Sequence, residues 1–456
     1  MESTESYNKN IAILPILMTV VIFMEFLDMT IVNTAVPSIA ISFGVDPLSI
    51  KFAVVSYFLG LGIFLPISGW CIDKFGYKTV FSLSIFLFAS ASWFCARSHN
   101  VPELTIFRFL QGVGGAYMNP VARIMIVRKY PVEKLVKIQG LIYTPAILGI
   151  VLGPFLGGLL SQYASWRWIF YINIPFSVVA IILGFIYIGI NEIKVSHGLD
   201  IKGFILSMMG LTGLTVFIES INHYELLSKQ IVFSLGIIGG LALVGLYHHC
   251  KTSSNAIFNL NLLKINTISC SFIINLLLYT LNSGIVFLLP LMYQEVFHLS
   301  PYKSGLLIIP ISVGYFLARI FSNRIIKKLK FKRVILYSSE MICLSVILIS
   351  FIKPNTSIII ISIFELLLGI GFVFANSSTS VLIYLDVRKK NTTDVTTLDL
   401  VIKHFSSSLG VGIASLLLML TGIMQNLSEF NLSLFHNTYL ILALLPFIAI
   451  IVSSQI

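Results

Sequence analysis

Apolar runs of about 20 residues, separated by short polar breaks, recur along the whole of this 456-residue chain. As a helix, each is long enough to cross the roughly 30 Å of a bilayer's hydrocarbon. In lipid every backbone N–H and C=O must be satisfied within the chain, which leaves helices or closed barrels. Barrel strands are about 10 residues long and alternate in polarity, and no such pattern is present. Fourteen spans can be counted, from residues 11–38 to residues 437–455. The spacing therefore predicts an all-α polytopic membrane protein of fourteen transmembrane helices with short loops.

Composition agrees: 57% of residues are hydrophobic and 11% charged, against about 25% charged in a soluble domain. The net charge of +11 would suggest nucleic acid if it formed a patch, but its distribution says otherwise. With a cytoplasmic N-terminus, inside segments hold 20 Lys and Arg (among them Lys9, Lys194, Arg388, Lys389 and Lys390) and outside segments hold 6. That is the asymmetry that sets membrane topology, so both termini are expected in the cytoplasm, in a plasma membrane of bacterial inner-membrane type. The first run is too long and too acidic for a cleaved signal peptide. The five cysteines show no CxxC pattern and read as packing residues. Neither a phosphate-binding loop nor a catalytic constellation is apparent, so the expectation is a non-enzyme without cofactor or metal.

Polar content divides the spans into six, two and six. The expected units are residues 1–190, an inserted pair with linkers at 191–266, and residues 267–456. Two related six-helix units suit a transporter with its substrate site between them.

The first span, Ile11 to Ala40, carries Glu25 and Asp28 three residues apart on one helical face. Acids inside the membrane are expensive and by default point to function. Asp28 lies about 14 Å from the outer end of its span, and Arg108 of span four about 10 Å from the same side. The two can meet. Arg108, Gln111, Gly112, Gly115 and Asn119 share one stripe of span four, which reads as a polar cavity wall. Desolvation favours the protonated form of a carboxylate and a neighbouring guanidinium the ionised form, so a small rearrangement can bind or release a proton. The alternative is a static ion pair, although buried pairs are poor stabilisers. Glu25 could be cavity wall or a neutral packing acid. In the last six spans Asn282, Asn376, Ser377 and Glu365 are the buried polar candidates. Glu365, about 14 Å deep, could line the cavity opposite Asp28.

Two further stretches stand out. GWCIDKFGYK (residues 69–78) is a charged turn with Gly69, Asp73, Lys74, Gly76 and Lys78. GIVLGPFLGG (149–158) sets Gly149, Gly153 and Gly157 on one face, with Gly158 beside them and Pro154 able to bend the helix. Elsewhere the bland readings prevail: Glu219 is interfacial near a span end, His248 and His249 form a solvated pair, and Lys303 and Arg319 snorkel.

Together with LDMTIVNTAVP (27–37), RFLQGVGGA (108–116) and WRWIFYINIP (166–175), these stretches resemble, in order and spacing, the motifs of the fourteen-span drug:proton antiporter branch of the major facilitator superfamily. The resemblance covers about the first 175 residues. It implies two six-helix bundles plus two extra central helices, with Asp28 as proton and cation site and Arg108 as its coupling partner. Asp73 would be a gating contact, and Gly153 with Pro154 a seal against leakage. Departures are Tyr77 where the gating motif has a base, Lys51 where an aromatic is common, and a second-half loop, SNRIIKKLKFKR (322–333), that lacks the motif's Asp and Gly.

The implied function is proton-driven export of amphipathic or cationic small molecules by alternating access. The partners would then be a small-molecule substrate, protons and the bilayer, with no nucleic acid, and an accessory efflux partner of unknown identity is a further option. The alternatives are export of one endogenous metabolite such as a siderophore, uptake instead of export, and a membrane receptor or scaffold on a transporter fold.

Overall fold

A computed structural model describes residues 4–130, 132–188, 198–220, 228–253, 256–387, 391–425, 427 and 430–455. Lys194, Arg388, Lys389 and Lys390, and the expected unit boundary at 190 and 191, lie outside the described residues.

The helices are α1 (Thr4–Phe43), α2 (Lys51–Phe64), α3 (Ser68–Phe75), α4 (Tyr77–Arg97), α5 (Val101–Lys129), α6 (Val132–Tyr163), α7 (Trp168–Tyr171) and α8 (Asn173–Tyr187). They continue with α9 (Ile201–Ser220), α10 (Lys229–Thr252), α11 (Asn266–Leu291), α12 (Pro301–Leu329), α13 (Phe331–Ser350), α14 (Ile358–Leu385), α15 (Thr392–Gln425), α16 (Leu432–Leu442) and α17 (Leu444–Ser454). No strand occurs among the described residues. α2 with α3, α7 with α8, and α16 with α17 each make one broken span. In the first, Pro66 interrupts the helix with a tight turn at Leu65–Ile67.

Among the described residues, thirteen segments are long and apolar enough to cross a membrane. α5 is the fourteenth; at 29 residues it is long enough, but Glu103, Arg108, Gln111, Asn119 and Arg123 dilute its hydropathy. With α5 counted as a crossing, the described helices run alternately between two faces: α1 starts at one, the terminal face, and α2, α5 and α12 start at the other. The start of α5 is fixed locally: the Asn100 side chain accepts the Glu103 N–H at 2.9 Å and the Glu103 carboxylate accepts the His99 N–H at 2.9 Å, a reciprocal cap.

The same close approaches recur in the two halves. A Cβ on Gly60 would collide with the Phe109 carbonyl and one on Gly112 with the Tyr57 carbonyl, which joins α2 to α5. Gly314 against Leu366 and Gly369 against Ile311 join α12 to α14 in the same way. Gly114 seats α5 on Ser84 of α4, and Gly371 seats α14 on Ser338 of α13. Lipid gives helices no hydrophobic reason to associate, so such backbone-to-backbone contacts hold the bundle together.

The two halves also share a one-residue link between span two and span three of each. Gly76 links α3 to α4 at φ 82° and ψ 147°, a region open to glycine. In the second half Lys330 takes φ 65° and ψ 156° between α12 and α13. The missing glycine in SNRIIKKLKFKR therefore did not change the backbone; it left a lysine in a conformation that costs about 1–3 kcal/mol. Lys330→Gly is expected to raise stability by about 1 kcal/mol after glycine's greater chain entropy is offset, seen as a higher thermal midpoint in detergent. A midpoint that stays put or falls would show an unstrained link.

α9 and α10 form a hairpin, closely packed at Gly213 and Gly239. Its terminal-face end is tied by Asp200, whose carboxylate accepts the N–H groups of Gly203 and Ile257 at 2.9 Å each and meets His249 Nε2 at 2.8 Å. Burial pushes the Asp200 carboxyl up, but these donors outweigh it and hold it below the usual carboxylate value. His249 is thus not half of a solvated pair as its place at a span end suggested; His248 alone is exposed.

Candidate functional site: a buried carboxylate network

Asp28 sits in mid-α1 with no solvent exposure, and two helices, α5 and α8, supply its hydrogen-bond partners. Arg108 of α5 donates from Nη1 to Oδ2 at 2.7 Å. Gln111, one turn further along α5, and Asn173 at the start of α8 each donate to Oδ1 at 2.8 Å. Gln111 Oε1 also accepts from Arg108 Nη1 at 2.8 Å, and its Nε2 donates to Ser92 of α4 at 2.8 Å. The guanidinium lies 4.2 Å from the centre of the Tyr57 ring of α2. Five helices thus meet in one network around this carboxylate, whose two oxygens accept a guanidinium N–H and two amide N–H groups.

Depth along two antiparallel helices sets Asp28 near Arg108, as the structure has it; Gln111, expected as cavity wall on the same stripe, is a further partner of the carboxylate. Depth counting missed Asn173, although that residue stands inside WRWIFYINIP. Glu25, one turn before Asp28, is 4% exposed and its Oε2 has no hydrogen-bond partner among the described residues. Asn119 lies further along α5, half-buried.

Glu365 does not join this network. It is buried in the second half, accepting the Tyr293 hydroxyl at 2.6 Å, with Tyr439 of α16 within electrostatic reach. Asn282 and Asn376 belong to a separate aromatic patch: Asn282 Oδ1 accepts the Tyr315 hydroxyl at 2.6 Å, Asn376 hydrogen-bonds Tyr279, and Phe372 lies between the Tyr279 and Tyr315 rings at 5.0 and 5.7 Å.

A second ion pair escaped sequence reading. Lys403 Nζ and Asp399 Oδ2 of α15 are 2.6 Å apart, both nearly buried. Asn275 Nδ2 of α11 donates to Asp399 Oδ1 at 2.8 Å and Lys403 donates to Ser380 Oγ of α14 at 3.0 Å. The signal was LDLVIKH (398–404), an acid and a base four residues apart in an apolar helix. Asp399→Asn alone is expected to lower stability by about 3 kcal/mol, because it strands a buried ammonium. Adding Lys403→Met should recover most of that loss in thermal unfolding in detergent. Equal midpoints for the single and double variants would deny the coupling.

The glycine face of α6 packs on α1: Cβ atoms at Gly149, Gly153 and Gly157 would collide with Phe23, Thr30 and Ile31. Pro154 has no N–H for the carbonyl of Ile150, and the Ser312 hydroxyl of α12 donates to that carbonyl at 3.2 Å. Gly158 abuts the Pro301 carbonyl and Gly305 the Pro154 carbonyl, so α6 also seats the second half. Nearby, Tyr302 N–H donates to Gln162 at 3.1 Å and Gln294 to the Thr34 carbonyl at 3.0 Å. These contacts join the halves on the side away from the termini.

In the charged turn, Lys78 donates to the Phe185 carbonyl at 2.9 Å, tying α4 to α8. Lys74 lies 4.5 Å over the Trp70 ring, Asp73 is half-buried, and a Cβ on Gly69 would meet nothing.

A model of the Major Facilitator Superfamily matches residues 18–411. The chain is 32% identical to a Haemophilus influenzae protein named a probable transport protein, HsrA, over 88% of this chain and 86% of that one. It is likewise 32% identical to a Pectobacterium carotovorum protein named for multidrug resistance, MdtD, over 87% and 84%. A solved transporter of the POT family, in complex with 5-aminolevulinic acid, superposes with a TM-score of 0.73 at 12% identity, covering 97% of this chain and 94% of that one. A D-xylose-proton symporter superposes with a TM-score of 0.67 at 14% identity, covering 97% of each. At such identities the structures speak for the fold alone.

Proposed function

Because this chain belongs to the major facilitator superfamily and is a multi-pass membrane transporter, we propose that it exports amphipathic or cationic small molecules in exchange for protons. The observation that carries this reading is the Asp28 carboxylate, held in the bundle interior by Arg108, Gln111 and Asn173. Proton arrival at Asp28 weakens its hold on Arg108; proton departure restores a negative site that attracts a cation. Glu25 extends the acidic face of α1, and the Tyr279, Tyr315 and Phe372 rings with Asn282 and Asn376 offer an amphipathic surface in the other half. In this reading the substrate site lies between the units at 1–190 and 267–456, and residues 191–266 are an addition.

The excess of Lys and Arg on the terminal face supports an orientation with that face toward the cytoplasm, and in this reading the membrane is a bacterial inner membrane. The contacts of Gly158, Gln162 and Thr34 with the second half then close the outer side, so access is from the cytoplasm. Relatives named for multidrug resistance favour a broad substrate range over a single metabolite.

The test is reconstitution into vesicles with an acid interior and a trapped pH dye. Adding lipophilic cations should release protons from vesicles that hold the protein and not from empty ones. Silence across a panel of such cations would sink the reading. Competition confined to one compound class would move it to a metabolite exporter.

A further inference from the structure

Glu219 is not interfacial, as its place at a span end suggested. It is 2% exposed, and its carboxylate faces Lys51 Nζ at 3.5 Å, also 2% exposed. Three units meet there: Lys51 opens α2 of the first half, Glu219 ends α9 of the inserted hairpin, and a Cβ on Gly412 of α15, in the second half, would strike the Glu219 carboxylate. At the other end of the same two helices the Phe64 ring of α2 and the Phe204 ring of α9 pack at 5.6 Å. α9 is therefore fastened to α2 at both ends; α15 also packs along α9, and where it passes Glu219 it presents only a glycine. α10 packs on α9 and turns Ile231, Phe233, Ile237 and Leu241 outward.

We propose that the inserted hairpin is a fixed part of the first bundle, locked to α2 by the Lys51–Glu219 pair, and that α15 of the second bundle slides along it during transport. A buried ion pair adds little net stability, and apolar faces do not drive association in lipid. What the pair does add is register, since neither charge can leave the other without exposing itself to hydrocarbon. The glycine on the α15 side lets two helices pass closely without interlocking side chains.

This inference rests on the two halves moving relative to one another, as transport requires, and not on proton coupling. The test is therefore made on distances, not on antiport. With the native cysteines replaced, spin labels are placed on the full-length protein in nanodiscs at exposed Leu83 of α4, Ile237 of α10 and Leu344 of α13. The Leu83–Ile237 distribution should be narrow, and narrower than Leu344–Ile237. Glu219→Gln and Lys51→Met should each broaden it at least twofold, and the exchange Lys51→Glu with Glu219→Lys should narrow it again. Leu83–Ile237 as broad as Leu344–Ile237, or unaltered in both single variants, would overturn the proposal. Loss of proton antiport with these distances as described would instead fault the transport reading.

Discussion

Asp28→Asn is expected to lower stability by about 3 kcal/mol, because it strands the buried Arg108 guanidinium, yet still to fold, to exchange substrate down its gradient, and to lose proton-coupled transport by at least about 100-fold. Asn keeps the shape of Asp28 and an oxygen for Gln111 and Asn173 but cannot ionise, so it neither loads nor releases a proton. A factor of 100 is about 2.7 kcal/mol of lost coupling, the scale of one buried charge-assisted contact. The measurement is proton release from vesicles against substrate counterflow in the same preparation. A companion pair separates coupling from mere structure. Arg108→Met strands the Asp28 carboxylate and should destabilise the fold by about 3–5 kcal/mol; Arg108→Met with Asp28→Asn should regain the fold but not the coupling. Normal antiport in that double variant would reduce the pair to a static brace.

The second large effect is expected at the α6–α12 contact. Gly158→Leu would drive a side chain into the Pro301 carbonyl, and Gly305→Leu into that of Pro154. Both positions lie where the two halves touch, so the penalty falls on this arrangement and not on either half alone. Transport should fall at least about tenfold, roughly 1.4 kcal/mol, with the thermal midpoint of the separate bundles little changed. A thiol probe added from the non-terminal side should label Gln162→Cys faster in Gly158→Leu than in the parent. Unaltered labelling and transport would show that the contact is not needed.

Much of the site was legible. A helix advances about 1.5 Å per residue and a bilayer sets where it begins, so depth along α1 and α5 could be computed and Asp28 matched to Arg108. Lateral placement could not be computed in that way. Glu365 has a depth similar to Asp28 but faces Tyr293 within its own half. Glu219 and Lys51 sit near span ends, where charges ordinarily reach water, but α2, α9 and α15 cover them. Asn173 joined Asp28 only because α8 packs behind α1. Lys330 shows the reverse: the glycine signal disappeared and the turn remained.

The sequence by itself determined that this chain crosses a membrane about fourteen times, which spans carry charge, and at what depth. It could do so because a bilayer tolerates only backbones that satisfy themselves, and the helix is local. The tertiary structure decided which charge meets which. In a solvent as apolar as leucine, helix order is set by close glycine contacts and paired polar groups between distant segments, and those depend on rotation about each axis, which no single span records.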